Sequence, residues 1–395
     1  MEVIGKIKYI SNIPAPYVVA MLNEIGKACD VEAVFEAETY VNHNKLFYNQ
    51  NSINFEITFL KKGNINRKRI NLNILKHINR EQDLLIMTCY TEMTELVGFL
   101  WAKLIHIPYY LEVDGARLHE ESFLKKHIKR FLIKGAKGYI SSGRITDNYL
   151  VHYGVPQDRI FHYPFSSLYS SDILKAPVSD EQKQSLKSKL GIQGKRVVVT
   201  VGRYVYIDKN GNELSTDISN KVNIYPGAKL IKGFDILIRA FSKLPSEYEL
   251  IIIGGEPTEE IKELVDSLSI QNVNFINFMP REKVFEYYKC ADLFCLQTRG
   301  DAWGLVINEA MANGLPVIST DKCVAALELI EPGKNGYVVN PEDINGLYNA
   351  MNKVLLDKRT INRMGKESIQ IIQNYTYEKM AEVHLKILEK EACTE

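Results

Sequence analysis

The residues best suited to chemistry fall in one run, RGDAWGLVINEAMANG, from Arg299 to Gly314. Asp301 lies in a polar loop, and Glu309 lies on a helix expected to begin near Gly304. A helix start presents unpaired backbone N–H groups and the positive end of a dipole, and both suit an anion. Two carboxylates flanking an anion site match a molecule with hydroxyls at each end and phosphate in the middle. A nucleotide-sugar has that order of groups: hexose, diphosphate, ribose. Glu309 sits within the otherwise apolar LVINEAM, so partial burial is expected. A buried carboxylate needs hydrogen-bond partners, and ribose hydroxyls supply them. The competing reading is an ordinary helix-surface acid.

A diphosphate also needs cations. Gly202 and Arg203 follow directly on RVVVTV, which reads as a buried strand, and Lys232-Gly233 opens the helical pattern FDILIRAF. Arg grips two phosphate oxygens at once, whereas Lys brings a mobile point charge. Either residue alone reads as a surface charge. Together at one strand-to-helix junction, upstream of Asp301 and Glu309, they read as a phosphate site. The chain has no Asp-x-Asp and no cluster of hard-metal ligands, so no metal or other cofactor is expected.

Positioning these residues requires a repeated strand–helix pattern. Apolar runs without alternation occur at 8–11, 31–35, 83–88, 109–112 and 138–141, then at 196–201, 249–254, 273–277, 293–296 and 316–319. Such runs suit parallel strands covered on both faces. Helical patterns fall between them at 18–29, 232–242, 259–268, 281–290 and 304–313. The fold class is therefore α/β with doubly wound sheets, and ligands of such sheets bind at the carboxyl ends of the strands. A length of 395 residues favours two domains of about 150–200 residues each. The expected division is a domain at 1–165, a polar linker at 166–195, a second domain at 196–377 and a terminal helix at 378–395. Residues 204–229, with KNGNE and a PG pair, are too long for a strand-to-helix loop and read as an insertion, either a small hairpin or a surface elaboration.

Composition narrows the classes. The net charge is +1, which excludes nucleic-acid binding driven by overall charge. Residues 1–165 carry 21 Lys+Arg against 17 Asp+Glu, so the first half is the basic one. Six cysteines show no paired spacing, which argues against metal and disulfide frameworks and for a reducing, cytoplasmic setting. The opening MEVIGKIKYISNIPAPY lacks the apolar core of a secretion signal, and no run of 18 apolar residues occurs.

The motifs GR, KGFDILIRAF, ELIIIGGEP, NVNFINFMPREKVFEYYKCADLFC, GDAWGLVINEAMANGLPVIST and EPGKNGYVV follow one another between about 196 and 343. In that order they resemble the retaining glycosyltransferases of family 4, which have the GT-B fold: two facing Rossmann-like domains with a cleft between them. The start SNIPAPYVVAMLNEIGK resembles bacterial enzymes of capsule, exopolysaccharide and O-antigen assembly. The resemblance implies transfer of a hexosyl group, with retention, from a nucleotide-sugar to a glycan or lipid-linked acceptor. The donor is expected to be a UDP-sugar, with a GDP-sugar as the alternative.

Residue by residue, it implies that Glu309 holds the ribose hydroxyls and Asp301 the hydroxyls of the transferred sugar. Arg203 and Lys232 match the diphosphate-binding cations. Ala302, Trp303, Gly304, Leu305 and Val306 match the backbone that meets sugar and phosphate. Gly202, Gly254 and Phe278 match the donor-pocket lining. Two departures stand out. Asp301 stands where the family usually has Glu, and Trp303 where it more often has Phe; the Trp303 ring reads equally well as packing beneath the loop. In the first domain the family's His is missing from YYLEVDGARLHEE. Asp114 is the nearest polar candidate there, either for a donor hydroxyl or the acceptor's proton, or simply as a turn acid. Rival readings are a GT-B epimerase or phosphorylase, and a non-catalytic nucleotide-sugar-binding scaffold. Finally, FLKKHIKRFLIKGAK at 123–137 is a basic helical pattern, read either as a helix lying on an anionic membrane or as a packed helix with a solvated charged face. The first of these puts the protein on the inner face of the cell membrane.

Overall fold

A computed structural model of the chain describes residues 5–39, 53–65, 70–90, 92–208, 213–214 and 228–393. The chain divides into two compact units, one of residues 1–169 with 374–395 and one of residues 170–373.

The first unit is built from β1 (Lys6–Ser11), α1 (Pro16–Ile25), β2 (Asp30–Phe35), β3 (Glu56–Phe59), β4 (Leu84–Met87), α2 (Met93–Leu104), β5 (Tyr110–Val113), α3 (Phe123–Ile133), β6 (Gly138–Ser141), α4 (Arg144–His152) and β7 (Ile160–His162). The strands form a seven-stranded sheet in the order β3-β2-β1-β4-β5-β6-β7, and every pairing in it is parallel. β4, β5 and β6 are buried along their whole lengths, as expected of strands covered on both faces. Pro16 sits in the first turn of α1, where its missing N–H is no loss.

The second unit contains α5 (Asp180–Leu190), β8 (Arg196–Val201), β9 (Tyr206–Ile207), β10 (Glu213–Leu214), β11 (Lys229–Leu230), α6 (Phe234–Phe241), β12 (Tyr248–Ile253), α7 (Glu259–Ser267), β13 (Val273–Ile276), α8 (Arg281–Cys290), β14 (Leu293–Leu296), α9 (Leu305–Ala312), β15 (Val317–Thr320), α10 (Val324–Leu329), β16 (Gly336–Val339), α11 (Ile344–Leu355) and α12 (Lys358–Ile372). Its main sheet is six-stranded and parallel, in the order β13-β12-β8-β14-β15-β16. The chain then returns to the first unit as α13 (Tyr377–Ala392). The return is fixed by backbone bonding of Tyr377 to Leu168 and by a 2.6 Å contact between His384 Nε2 and Glu112 Oε2.

Three expectations need correction. Residues 166–195 are not a structureless linker, because α5 occupies 180–190 and packs on α8. Ser179 accepts from the Gln182 N–H while Gln182 bonds back, and Gly191 ends the helix in the left-handed region. The polar composition that reads as a linker is that of a short exposed helix. Strands β3, β7 and β16 escape the sequence pattern because they are short and, with β13, form the sheet edges, where burial is partial. In the 204–229 insertion, β9 pairs antiparallel with both β10 and β11, making a three-stranded ribbon rather than a single hairpin. Most of KNGNE and the PG pair lie outside the described residues.

Candidate active site

In the second unit, β12 and β13 lie on one side of β8, and β14, β15 and β16 on the other. The strand order reverses between β8 and β14, and the crevice at the carboxyl ends of two such strands is where sheets of this kind bind ligands. The predicted residues emerge at that point. Gly202 and Arg203 leave the end of β8. Lys232 follows β11, on the return from the insertion, and Asp301 and Gly304 follow β14.

Backbone bonds lock these loops together. Ile231 O accepts from Arg299 N at 2.7 Å and from Thr298 Oγ1 at 3.0 Å. The neighbouring Lys232 is thereby held against the loop that carries Asp301. Lys232 Nζ donates to Asp301 Oδ2 at 2.5 Å, and the stem of Lys232 runs across Gly202 so closely that a Cβ there would lie 3.0 Å from its Cγ. Asp301 N donates to Lys322 O at 3.0 Å, which fixes the loop to the end of β15. Arg299 supplies a second clamp. Its guanidinium donates to both oxygens of Asp235 at 2.8 Å and to Glu342 at 2.7 and 3.1 Å, and those carboxylates raise its already high pKa although burial opposes this.

Two glycines permit the close approach. Gly304, the N-cap of α9, has φ +100°, and a Cβ there would lie 2.5 Å from Cys323 Sγ. Gly254, with φ +146°, ends β12 so close to β8 that a Cβ would lie 2.0 Å from Gly202 O. No side chain caps α9, and in its first turn the Ile307 N–H donates to Gly304 O at 2.8 Å. Gly202, Lys232, Gly254, Asp301 and Gly304 are thus one neighbourhood of a cation, an acid and closely packed glycine backbone.

Glu309 lies about 7 Å further along α9 from Gly304. Its carboxylate accepts from Tyr288 Oη at 3.5 Å and stands 3.7 Å from Arg281 Nε. Burial, then the charge of Glu309, holds the Tyr288 hydroxyl protonated well above its usual range. Arg281 also donates to Asp172 at 2.8 Å and stacks 4.6 Å from the centre of the Phe285 ring. Glu309 therefore has protein partners of its own in Tyr288 and Arg281. Arg203 is exposed and makes no ion pair among the described residues. Ala302 is exposed, Leu305 and Val306 are half-buried on the first turn of α9, and Phe278 is half-buried in the loop after β13.

Trp303 belongs to the packing instead. Its ring is 3% exposed, its Nε1 donates to Asn308 Oδ1 at 2.9 Å, and its carbonyl accepts from Ala325 N and Cys323 Sγ. The aromatic ring anchors the loop from below, and the indole N–H makes Asn308 part of that anchor.

Asp114 lies in the first unit, just beyond β5, in a different setting. Tyr163 donates to Asp114 Oδ1, and Tyr17 donates to its Oδ2 at 3.4 Å. Glu112 accepts from Tyr9 at 2.6 Å and bonds His384. Burial, then the charge of Glu112, pushes the Asp114 carboxyl well above the usual carboxylate range. Burial opposes protonation of His384, but the bond and charge of Glu112 outweigh it and raise its pKa.

The sequence reading gave no site role to Arg281, Tyr288, Arg299 or Cys323. Arg299 adjoins the predicted acid and could have been found there. Arg281 and Tyr288 carry no local signal, because only the packing of α8 on α9 brings them to Glu309.

Residues 214–371, within the second unit, match the family model of glycosyl transferases group 1. An uncharacterized glycosyltransferase of Haemophilus influenzae is 30% identical over 156 residues, covering 38% of this chain and 44% of the relative. The chain spans about half or less of the length of the curated relatives it matches. Among solved structures, Anabaena Alr3699/HepE in complex with UDP and glucose superposes with a TM-score of 0.69 at 17% identity, over 98% of this chain and 100% of that one. Sucrose-phosphate synthase of Thermosynechococcus elongatus gives a TM-score of 0.74 at 18% identity, over 99% and 100%. At such identities the likeness is one of fold: two Rossmann-like, parallel-sheet α/β units, as in the GT-B fold.

Proposed function

We propose, from the match of residues 214–371 to the family model of glycosyl transferases group 1, that this chain moves a hexosyl group from a nucleotide-sugar to a hydroxyl of a glycan or lipid-linked glycan. The observation that carries the reading is the Lys232–Asp301 pair beside Gly202 and the uncapped start of α9, at the carboxyl ends of β8 and β14. UDP is the favoured nucleotide, because the solved neighbour of like fold holds UDP and glucose. In the proposed reaction the bond from C1 of the sugar to the phosphate oxygen breaks, and its electron pair stays on the departing diphosphate. Lys232, Arg203 and the α9 N–H groups stabilise the charge that grows there. Asp301 orients sugar hydroxyls and Glu309 holds the ribose. The acceptor hydroxyl attacks C1 from the face that the diphosphate leaves, its proton passes to the leaving phosphate, and configuration is retained. Fixed cations and backbone take the role a divalent metal plays elsewhere, so chelation is expected to leave the rate unchanged. The biological setting that fits is polysaccharide assembly on the cytoplasmic face of the membrane.

A thermal-shift panel of UDP-, GDP- and ADP-sugars tests the reading, since a ligand that binds only the folded state raises stability. A UDP-sugar is expected to give the largest shift, and the Lys232→Ala variant to lose it. A panel with no shift for any nucleotide-sugar would remove the assignment.

A further inference from the structure

Helix α3 carries its apolar residues on the outside. Phe123 is 78% exposed, Leu124 69%, Ile128 51% and Phe131 63%, and Ile133 is the helix's buried residue. At about 100° per residue, Leu124, Ile128 and Phe131 share a narrow arc, with Phe123 and His127 beside it. The opposite side faces the unit. There Lys129 pairs with Glu121 at 2.8 Å and lies over the Tyr149 and Tyr153 rings. Lys103 of α2 donates to the carbonyls of Phe131 and Leu132 at 2.6 and 2.9 Å, tying down the helix end. The apolar ridge is therefore held outward by contacts on the other face. On the nearby end of α2, Leu104 is also 68% exposed.

Charge identifies the occupant. Residues 123–137 contain six Lys or Arg and no Asp or Glu. Lys125 lies about 90° round the helix from the ridge on one side, and Lys134 about 90° on the other. We propose that α3 docks on an anionic lipid surface, with Leu124, Ile128 and Phe131 entering the acyl boundary and Lys125 and Lys134 at the level of the head groups. A second copy of the chain is the poorer occupant, because an isologous contact through α3 sets cations against cations. The proposal does not depend on the transferase reading, because its readout is vesicle binding.

The test is flotation of the full chain with vesicles of phosphatidylcholine alone or mixed with phosphatidylglycerol. Binding is expected only to the anionic vesicles, and high salt is expected to weaken it. Leu124→Glu with Phe131→Glu is expected to lower the partition coefficient at least tenfold. Lys125→Glu with Lys134→Glu is expected to lower it about fivefold or more per site. Both variants should keep the parent's melting temperature, which separates lost docking from lost folding. Equal binding to neutral vesicles overturns the proposal, as does parental binding by both variants. Sedimentation showing a dimer that Leu124→Glu dissociates, with no lipid binding by the parent, also overturns it and assigns the face to self-association.

Discussion

Asp301→Asn gives the most discriminating prediction, because this carboxylate pairs with Lys232 at 2.5 Å. The two side chains are 21% and 17% exposed, so the pair is neither fully wet nor fully dry. Unit charges about 4 Å apart attract by about 4 kcal/mol at an effective dielectric near 20. Desolvation and partial exposure reduce the net value to about 1–2 kcal/mol. Asn at 301 should lower the stability of the second unit by that amount while freeing Lys232 for phosphate. The same 1–2 kcal/mol corresponds to about a 5–30-fold gain in affinity for UDP, which has no sugar to bind Asp301. Sugar transfer should move the other way. A hydrogen bond to a charged group contributes about 1.5–3 kcal/mol, so its loss slows transfer by about 10–150-fold. Calorimetric titration with UDP, together with initial rates on the UDP-sugar that stabilises best, measures both effects. Lys232→Ala should weaken UDP binding, and in the double variant the gain should vanish. If Asp301→Asn weakens UDP binding as much as Lys232→Ala does, the acid is part of the diphosphate site and the division of roles is wrong.

Glu309→Gln keeps a partner for Tyr288 but removes a charge from the proposed ribose site; UDP should bind about 10–100-fold more weakly, while inorganic pyrophosphate is unaffected. Equal losses for the two ligands in titration calorimetry would place Glu309 at the phosphates instead. Gly304→Ala puts a Cβ 2.5 Å from Cys323 Sγ at φ +100°, and denaturant unfolding should show a loss of about 2–4 kcal/mol. Parental stability would mean the start of α9 is not held as described. Glu95 is 1% exposed with both oxygens unpartnered, and burial, then the charge of Glu36, pushes its pKa to about 8. The folded state thus keeps a proton that the unfolded chain loses, so stability present below about pH 4.5 is lost as pH rises through about 8. At about 1.4 kcal/mol per pKa unit, the effect is bounded near 5 kcal/mol, and Glu95→Gln should flatten urea-derived stability between about pH 5 and pH 8. An unchanged slope in the variant would assign the pH dependence to other groups.

The alternation of buried runs with amphipathic ones made both sheets legible, because a parallel strand covered on two faces must be apolar along its length. RVVVTV and LFCL are buried in this way, and their bounds follow directly from the pattern. The edge strand GYVV and the polar helix DEQKQSLKSKL were not read, because partial burial blurs the period. The capping box at Ser179 and Gln182 was nonetheless written in the chain.

At the candidate site, the sequence alone determined which groups were available: Arg203 and Lys232 as cations, Asp301 and Glu309 as acids, and a glycine at the start of α9. Tertiary structure decided how those groups are used. It paired Lys232 with Asp301, gave Glu309 to Tyr288 and Arg281, buried the Trp303 ring, and turned the apolar residues of α3 outward. The physical reason is that a hydrogen bond, an ion pair or a buried face depends on two surfaces meeting. Local periodicity constrains one surface, and only the packing of distant elements supplies the other.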